Sequence, residues 1–197
     1  MKALLRGLLT YLLVAGTLAW AQQAPDAMIK ATVDDVLAVM RQNKDPQSLR
    51  ALAEQKVLPH FDFDRMTRLA VGRPWQSATP AQQEALVKNF RALLVNTYSS
   101  AISNGVTPAD KVEVKAPQGG GDDTMVKTIA HRGGKDPIVV DYRVAKNAES
   151  WKVYDVLVEG VSLVQTYRGT FSAEIAKSGI DGLIKSLEQK NGGKQVS

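Results

Sequence analysis

The spacing of the apolar residues changes near the middle of this 197-residue chain. In the first half they recur every three or four positions, as Leu86 and Phe90 do, which is the period of a helix buried on one face. From Val112 and Val114 onward they alternate with polar residues, as in a half-buried strand. Helices gathered before strands are typical of an α+β domain. We therefore predict a twisted antiparallel sheet of about four strands, packed against N-terminal and C-terminal helices.

Capping residues mark where the helices of the first half begin. Asp26, Asp45 and Asp62 each precede a segment with helical spacing. The longest helix starts at Thr79 with the sequence Thr-Pro-Ala-Gln, a capping box with proline at the first helical position. We expect this helix to run for ~25 residues, or ~37 Å, to the Asn-Gly pair at 104–105. It is then long enough to lie across a whole sheet.

Four short strands are predicted in the second half of the chain. Turns rich in glycine and polar residues fall at 119–123, 132–136 and 147–150, and the last strand begins at Trp151. Strands at such close spacing form an antiparallel meander. A helical stripe of apolar residues follows the last strand, and Gly179 is expected to break the helix in two.

The first 21 residues have the pattern of an export signal. They have a positive start, a mostly apolar stretch over 8–18 and an A-x-A cleavage pattern that ends at Ala21. We interpret 1–21 as a signal peptide and 22–197 as a single domain. A retained membrane anchor is the alternative, although the apolar stretch is short for a membrane span.

Composition excludes several classes of site. The chain has no cysteine, which removes disulfides and thiolate ligands, and its two histidines, His60 and His131, stand in different halves without a partner at a metal-binding spacing. No metal and no cofactor are therefore expected. The net charge of +5 is spread among acidic residues, and no nucleic-acid motif is present, so no nucleic-acid partner is expected.

The segment around His60 is the first candidate for catalysis, because Asp62 and Asp64 follow the imidazole closely. Two carboxylates at a spacing of two cannot share one helix face. Asp62 is already explained as a helix cap. We therefore favour a capped helix and a solvated loop here.

Asp155 is the second candidate, since it interrupts an apolar strand. A buried carboxylate without a partner is costly, and either Arg143 or Arg168 would serve as that partner. The open alternative is a small hydrolase or isomerase that uses Asp155 together with Tyr142 or Tyr167.

Two segments are similar to a known family. Residues 57–98 contain Val-Leu-Pro-His-Phe-Asp-Phe followed by Trp75, Thr79 and Phe90, and residues 151–171 read WKVYDVLVEGVSLVQTYRGTF. Together with the export signal, they resemble the MlaC family, also called toluene-tolerance auxiliary proteins. The resemblance extends over essentially all of the predicted domain.

The resemblance implies a periplasmic protein of a Gram-negative envelope that binds phospholipid as cargo and is not an enzyme. Members of the family hold acyl chains in a cavity between sheet and helices, with the head group outside. They shuttle glycerophospholipid between an inner-membrane ABC transporter carrying an MCE-domain protein and an outer-membrane lipoprotein–porin complex, which maintains outer-membrane lipid asymmetry. A chain of about 16 carbons is worth on the order of 10 kcal/mol when kept from water, so free lipid crosses an aqueous gap slowly.

Such a cavity is expected to reach or exceed the upper end of the ~300–1,000 Å³ of ordinary pockets. Its expected lining comes from helices and sheet: Phe63, Met66, Phe90, Leu94, Tyr98, Ile138, Val140, Tyr142, Val153, Leu157, Val164, Tyr167 and Phe171. A filled core explains the same pattern, and a shift of one residue would exchange the faces of the sheet. Arg73 is the candidate for contact with the head-group phosphate. A periplasmic chaperone or adaptor with an open hydrophobic groove for protein partners is the remaining alternative.

Overall fold

A computed structural model describes residues 23–42, 45–103, 109–147 and 150–192. The predicted signal peptide and the predicted helix stop at 104–105 lie outside these residues. Within them, the chain forms helices α1 (Pro25–Gln42), α2 (Pro46–Leu52), α3 (Phe63–Val71) and α4 (Pro80–Ser103), then strands β1 (Lys111–Val114), β2 (Asp123–Arg132), β3 (Lys135–Lys146), β4 (Trp151–Val158) and β5 (Val161–Ser162), and finally helix α5 (Leu163–Gly192). The predicted α+β arrangement is confirmed.

Side-chain caps fix the starts of three helices as predicted. At α2 the carboxylate of Asp45 accepts a hydrogen bond from the backbone N–H of Ser48 at 2.9 Å. The carboxylate of Asp62 accepts a hydrogen bond from the backbone N–H of Arg65 at 2.8 Å, which starts α3. At α4 the bonds are reciprocal: Thr79 N–H donates to the Gln82 side-chain oxygen at 2.9 Å, and Gln82 N–H donates to the Thr79 hydroxyl at 3.2 Å. The expected cap at Asp26 is wrong, because α1 already begins at Pro25 and Asp26 lies in its first turn.

The chain between α2 and α3 winds irregularly. A π-helical turn, Ala53–Val57, is followed directly by a 3₁₀ turn, Leu58–His60. A π turn carries one extra residue, and such turns often mark functional sites in helices. Phe61 then forms a parallel bridge to Val153 of β4, which brings this segment against the sheet.

The sheet is an antiparallel meander in the order β1-β2-β3-β4-β5. It has one strand more than predicted in the described residues, because Val161–Ser162 pairs with the end of β4 after a turn at Glu159 and Gly160. Both turn residues have positive φ, which tightens the connection. Two residues are too few to give an alternating pattern in the sequence, which is why β5 was not predicted.

A β-bulge in β4 reverses the faces of its residues. Val144 of β3 pairs with Val153, but Arg143 pairs with Asp155, so Tyr154 is the extra residue. Beyond the bulge, Val156 pairs with Tyr142. One additional residue exchanges inward and outward positions along the rest of a strand.

The helices and the sheet enclose two separate clusters of buried residues. The larger one joins α3, α4, β4 and α5 and includes Leu86, Phe90, Phe171 and Leu183, each no more than 2 % exposed. The smaller one packs α1 against β2, β3 and β4 around Ile29. Helix α1 packs on β1 and β2, whereas α4 packs on α3 and α5, and space is left between α1 and α4.

Helix α5 is broken at Gly179, as predicted. Its φ of 72° and ψ of −174° are not helical, so α5 changes direction at this residue. Glycine adopts this conformation without the steric cost that a Cβ would bring. The part beyond it packs back on α4, where the Gln82 amide donates to Asp181 at 2.7 Å and the Asn191 amide donates to the Asn89 carbonyl at 3.0 Å.

Candidate functional site

An apolar cavity of about 410 Å³ lies between α1, the turns at 53–60, the helices α3 and α4, and the sheet. It is partly enclosed, and we call it the apolar cavity. Its wall consists of Ile29, Thr32, Val33, Val36, Leu37, Met40, Leu52, Ala53, Val57, Leu58, His60, Phe61, Phe63, Met66, Leu94, Val95, Tyr98, Ser99, Tyr142, Val153, Val156, Val158 and Leu163. The volume is in the lower half of the range for ordinary pockets, so the expectation of a larger space is wrong.

The described wall contains no Asp, Glu, Lys or Arg. Burial raises the pKa of the Tyr142 phenol to about 12, so this group stays protonated and neutral. A wall without fixed charge can exclude water and surround hydrocarbon without leaving a buried charge unpaired. The cavity is therefore suited to an apolar ligand.

His60 is the wall residue that can change its charge near neutral pH. Partial burial lowers the pKa of its imidazole, and the positive charge of Lys152 lowers it further, against an opposing effect of Asp35. The neutral imidazole is therefore favoured in the folded protein. Lys152 is held beside this segment because its ammonium donates to the Pro59 carbonyl at 2.5 Å.

Two exposed hydrophobic residues mark an opening of the apolar cavity. Tyr98 near the end of α4 is 40 % exposed, and Val158 at the end of β4 is 39 % exposed, although both belong to the wall. Val161, which pairs with Val158 across the β4–β5 turn, is 63 % exposed. An apolar surface therefore continues from inside the cavity to the outside of the protein.

The structure places part of the predicted lining in the wall. These residues come from α3, α4, β3 and β4: Phe63, Met66, Leu94, Tyr98, Tyr142 and Val153. Whether they contact a ligand stays a prediction.

Four other predicted lining residues lie in, or pack against, the larger cluster of buried residues instead. Phe90 contacts Tyr167 and Phe171 edge-on, with ring centroids 4.9 Å and 5.1 Å apart, and Val164 is 2 % exposed beside them. Aromatic side chains at these distances pack against one another and leave no room for a ligand. Their packing is also why the cavity is smaller than expected.

The remaining sheet residues of the prediction do not reach the wall either. Leu157 pairs with Asp141 and faces away from the cavity, because the bulge exchanges the faces of β4. Val156 takes the inward position that was assigned to Leu157. Val140 pairs with the wall residue Val158, but neither Val140 nor Ile138 belongs to the wall.

Helix α1 supplies a side of the cavity that the prediction left out. Ile29, Val33, Val36, Leu37 and Met40 all belong to the wall. Their helical spacing is visible in the sequence, but an amphipathic pattern gives no sign of which surface the helix covers.

Asp155 does not line the cavity that contains Tyr142. Its carboxylate accepts hydrogen bonds from the Ser162 hydroxyl at 2.6 Å and from the Val164 backbone N–H at 3.1 Å, at the start of α5. Arg143 lies 3.7 Å away and supplies the expected positive partner. Asp155 thus ties β4 to α5, which explains a buried acid without catalysis.

A second cavity, of about 590 Å³, has charged residues in its wall and shares a boundary with the first. We call it the polar cleft; it is lined by Arg50, Glu54, Leu58, Asp64, Trp75, Pro80, Gln83, Glu84, Val87, Lys88, Arg91, Ala92 and Val95. Arg73 is exposed and belongs to neither wall, whereas its neighbour Trp75 lines the polar cleft.

The described residues show neither a metal site nor a membrane span. No group of three or more potential metal ligands comes together among them. None of the helices in the described part of the chain is both long enough and apolar enough to cross a bilayer.

Known proteins share this arrangement. A sequence model described as MlaC protein matches residues 30–189, which is most of the chain. The chain belongs to the MlaC family. The family resemblance read from the two sequence segments is thereby confirmed.

Relatives in the MlaC family have names that refer to lipid transport or solvent tolerance. The chain is 26% identical to the intermembrane phospholipid transport system binding protein MlaC of Haemophilus influenzae, over 92% of this chain and 88% of that one. It is also 26% identical to the toluene tolerance protein ttg2D of Pseudomonas putida, over 93% and 87% of the two chains. Both matches extend over nearly the full length of each protein.

A solved structure shows the same fold at higher identity. It is a phospholipid-binding protein of Ralstonia solanacearum in complex with a phospholipid, 34% identical, with a TM-score of 0.78 over 87% of this chain and 99% of that chain.

Proposed function

We propose that this chain is a periplasmic phospholipid carrier that holds acyl chains in its apolar cavity. The observation that supports the proposal most directly is a wall without Asp, Glu, Lys or Arg in its described part, which surrounds a space open at Tyr98 and Val158. Each methylene group that enters this space is worth about 0.8 kcal/mol, so hydrocarbon binding needs no specific polar contact. The phospholipid complex of the Ralstonia solanacearum relative supports the same role.

In this role the protein lowers the barrier that an aqueous gap presents to a free lipid. We propose that it exchanges glycerophospholipid with an inner-membrane ABC transporter that carries an MCE-domain protein, and with an outer-membrane lipoprotein–porin complex. Such exchange would help to maintain outer-membrane lipid asymmetry. The relative of Haemophilus influenzae, named as part of an intermembrane phospholipid transport system, supports this placement. Residues 1–21 would act as the signal peptide that exports the domain 22–197.

The carrier accounts for the site better than the alternatives. A hydrolase or isomerase built on Asp155 needs that carboxylate in the same space as its tyrosine partner, but Asp155 binds the start of α5 instead. A chaperone or adaptor needs an open groove, whereas this cavity is partly enclosed by α1 and the turns at 53–60.

Two adjacent residues of β4 give a matched test. Val156 faces the apolar cavity and Leu157 faces away from it, and both are half-buried. Tryptophan is well tolerated in strands, so neither Val156→Trp nor Leu157→Trp should unfold the sheet. We expect Val156→Trp to fill the cavity and reduce phospholipid uptake at least about tenfold, since several methylene groups lose their place.

The measurement is native mass spectrometry of the purified proteins after incubation with phospholipid vesicles. Wild type and Leu157→Trp should carry phospholipid, and Val156→Trp should not. Lipid-free wild-type protein that takes up nothing from vesicles would contradict the carrier proposal. Equal uptake by the two variants would contradict the assignment of the cavity as its binding site.

A further inference from the structure

Arg65, Asp123 and Tyr154 form a cluster that joins three elements of the fold, and we call it the Arg65 cluster. The guanidinium carbon of Arg65, in the first turn of α3, lies 3.5 Å from the centre of the Tyr154 ring in β4. The same guanidinium lies 2.8 Å from the carboxylate of Asp123, the first residue of β2. The Tyr154 hydroxyl donates a hydrogen bond to the other oxygen of this carboxylate at 2.7 Å. Each of the three side chains thus contacts the other two.

The Arg65 cluster is partly removed from water, which strengthens its interactions. Tyr154 is buried, and the Arg65 side chain is partly buried. Burial raises the pKa of the Tyr154 phenol, and the Asp123 carboxylate raises it further, so the phenol stays protonated and keeps donating its hydrogen bond. A cation that is stacked on an aromatic ring and paired with a carboxylate is held more firmly than an exposed ion pair. The cluster therefore fixes α3 against β4 and β2.

Members of the Arg65 cluster are chain neighbours of residues in the wall of the apolar cavity. Arg65 precedes Met66 and Tyr154 follows Val153, and both of these neighbours belong to the wall. The backbone is tied at the same place, because the N–H of Asp62 donates to the Val153 carbonyl at 2.8 Å. The position of Met66 relative to Val153 is thus set by contacts whose side chains lie outside the wall.

Tyr154 is also the extra residue of the bulge in β4, and the bulge decides which residues face the apolar cavity. Val153 belongs to the wall, so in a regular strand the next inward positions would be Asp155 and Leu157. A carboxylate would then face the cavity without a partner, which is costly. With Tyr154 as the extra residue, Val156 takes the inward position and Asp155 binds the start of α5 instead.

We propose that Arg65, Asp123 and Tyr154 are positioning residues of the apolar cavity. They hold the bulge of β4 and keep α3 against the sheet, so that the wall presents no carboxylate and fits closely around hydrocarbon. They act through Met66, Val153 and Val156 and do not contact the lipid themselves. This inference rests on the proposed carrier function and adds to it the residues that set the shape of the binding site.

The test measures how fast a loaded phospholipid leaves the protein. Protein that carries phosphatidylethanolamine with a fluorescent head group is mixed with excess vesicles of phosphatidylcholine, and the transfer is followed by stopped-flow fluorescence. We expect Arg65→Gln to raise the rate of lipid loss about tenfold, since the ring stacking and the ion pair are both lost. Tyr154→Phe keeps the ring beside Arg65 and loses only the bond to Asp123, so it should raise the rate about threefold.

A double variant shows whether the residues of the Arg65 cluster act as one unit. Arg65→Gln combined with Tyr154→Phe should lose lipid no faster than Arg65→Gln alone, because the cluster is already open in the single variant. Independent effects, which would multiply to about thirtyfold, would contradict a shared positioning role.

Thr79→Ala is the control for a loss of stability that leaves the wall unchanged. It removes the hydroxyl that accepts from the Gln82 N–H at the start of α4, and neither residue belongs to the wall of the apolar cavity. Loss of a helix cap lowers the free energy of unfolding. Denaturant unfolding should therefore show a loss in Thr79→Ala as well as in Arg65→Gln, whereas lipid transfer from Thr79→Ala should match wild type.

The inference is overturned if Arg65→Gln and Tyr154→Phe lose lipid as slowly as wild type, or if Thr79→Ala accelerates the transfer as much as Arg65→Gln does. The Arg65 cluster would then only stabilise the fold, and the carrier proposal would stand. Tyr154→Phe keeps the test decisive if Arg65→Gln does not fold. Wild-type protein that takes up no labelled lipid would overturn this inference and the carrier proposal together.

Discussion

The charge of the described wall of the apolar cavity depends on pH through the imidazole of His60. Its pKa in the folded protein lies below 6.5, chiefly because of burial and secondly because of Lys152. The unfolded chain therefore binds the proton more readily than the folded one in the interval below 6.5. The stability that the neutral form provides is complete above 6.5 and is lost as the pH falls through the folded pKa.

We predict that lipid retention falls with pH in the same interval. Acyl chains against His60 would remove more water from the imidazole, so protonation opposes binding. Retention from vesicles should decrease as the pH falls from about 6.5 towards 5 in wild type and should stay flat in His60→Phe. His131→Phe is the control, because His131 lies beside Glu113 on the sheet and outside the wall. The same pH profile in His60→Phe as in wild type would show that this imidazole does not govern release.

Neighbouring residues of one helical stripe have different surroundings, and the sequence does not distinguish them. Phe90 and Leu94 are one turn apart on α4 and both are buried. Phe90 meets Tyr167 and Phe171 of α5, whereas Leu94 meets the cavity. Periodicity predicts which side of a helix faces inward. It does not predict what the other elements place there.

At the scale of elements, Asp155 connects the sheet to the last helix. Its carboxylate binds Ser162 and the N–H of Val164, and it is 2 % exposed. Asp155→Ala would leave these donors without an acceptor and should lower the free energy of unfolding by about 2–3 kcal/mol. Denaturant unfolding followed by circular dichroism measures the change. Asp136→Ala, at an exposed position near the start of β3, should stay within about 0.5 kcal/mol of wild type. A similarly small effect of Asp155→Ala would argue against its role in joining β4 to α5.

The elements themselves were largely predictable, because caps, turns and periods are local signals. The capping box at Thr79 and the start of β4 at Trp151 are confirmed. The bulge at Tyr154 was not predictable, since nothing in the residues around it marks an extra position in the pairing. It arises from the register of β3 against β4, which is a property of two strands together. The wrong face of Leu157 follows from it.

At the scale of the whole molecule, the larger cluster of buried residues, around Phe90 and Phe171, and the apolar cavity occupy different parts of the protein. The aromatic contacts of Phe90, Tyr167 and Phe171 are complete without a ligand. The protein should therefore stay folded when it is empty, and a bound lipid should add stability only through its binding equilibrium. Lipid present at about 100 times its dissociation constant adds about 2.7 kcal/mol.

We predict that removing the lipid lowers the melting temperature by about 5–10 °C without abolishing cooperative unfolding. Differential scanning calorimetry of loaded and delipidated protein measures this shift, and reloading with phospholipid should restore it. A delipidated protein that is already unfolded at room temperature would show that the cargo completes the core. No shift at all would show that no ligand is bound tightly.

Both edge strands of the sheet are short in the described structure. β1, which has four residues and carries charged side chains, forms one edge, and β5, which has only two residues, forms the other. Long edge strands with unpaired backbone groups allow strands of other molecules to pair with them and start fibrous aggregates. A carrier of the proposed kind exposes apolar surface each time it exchanges lipid. Such a carrier is thus protected from polymerising with its own copies, because little main chain is free to pair with them.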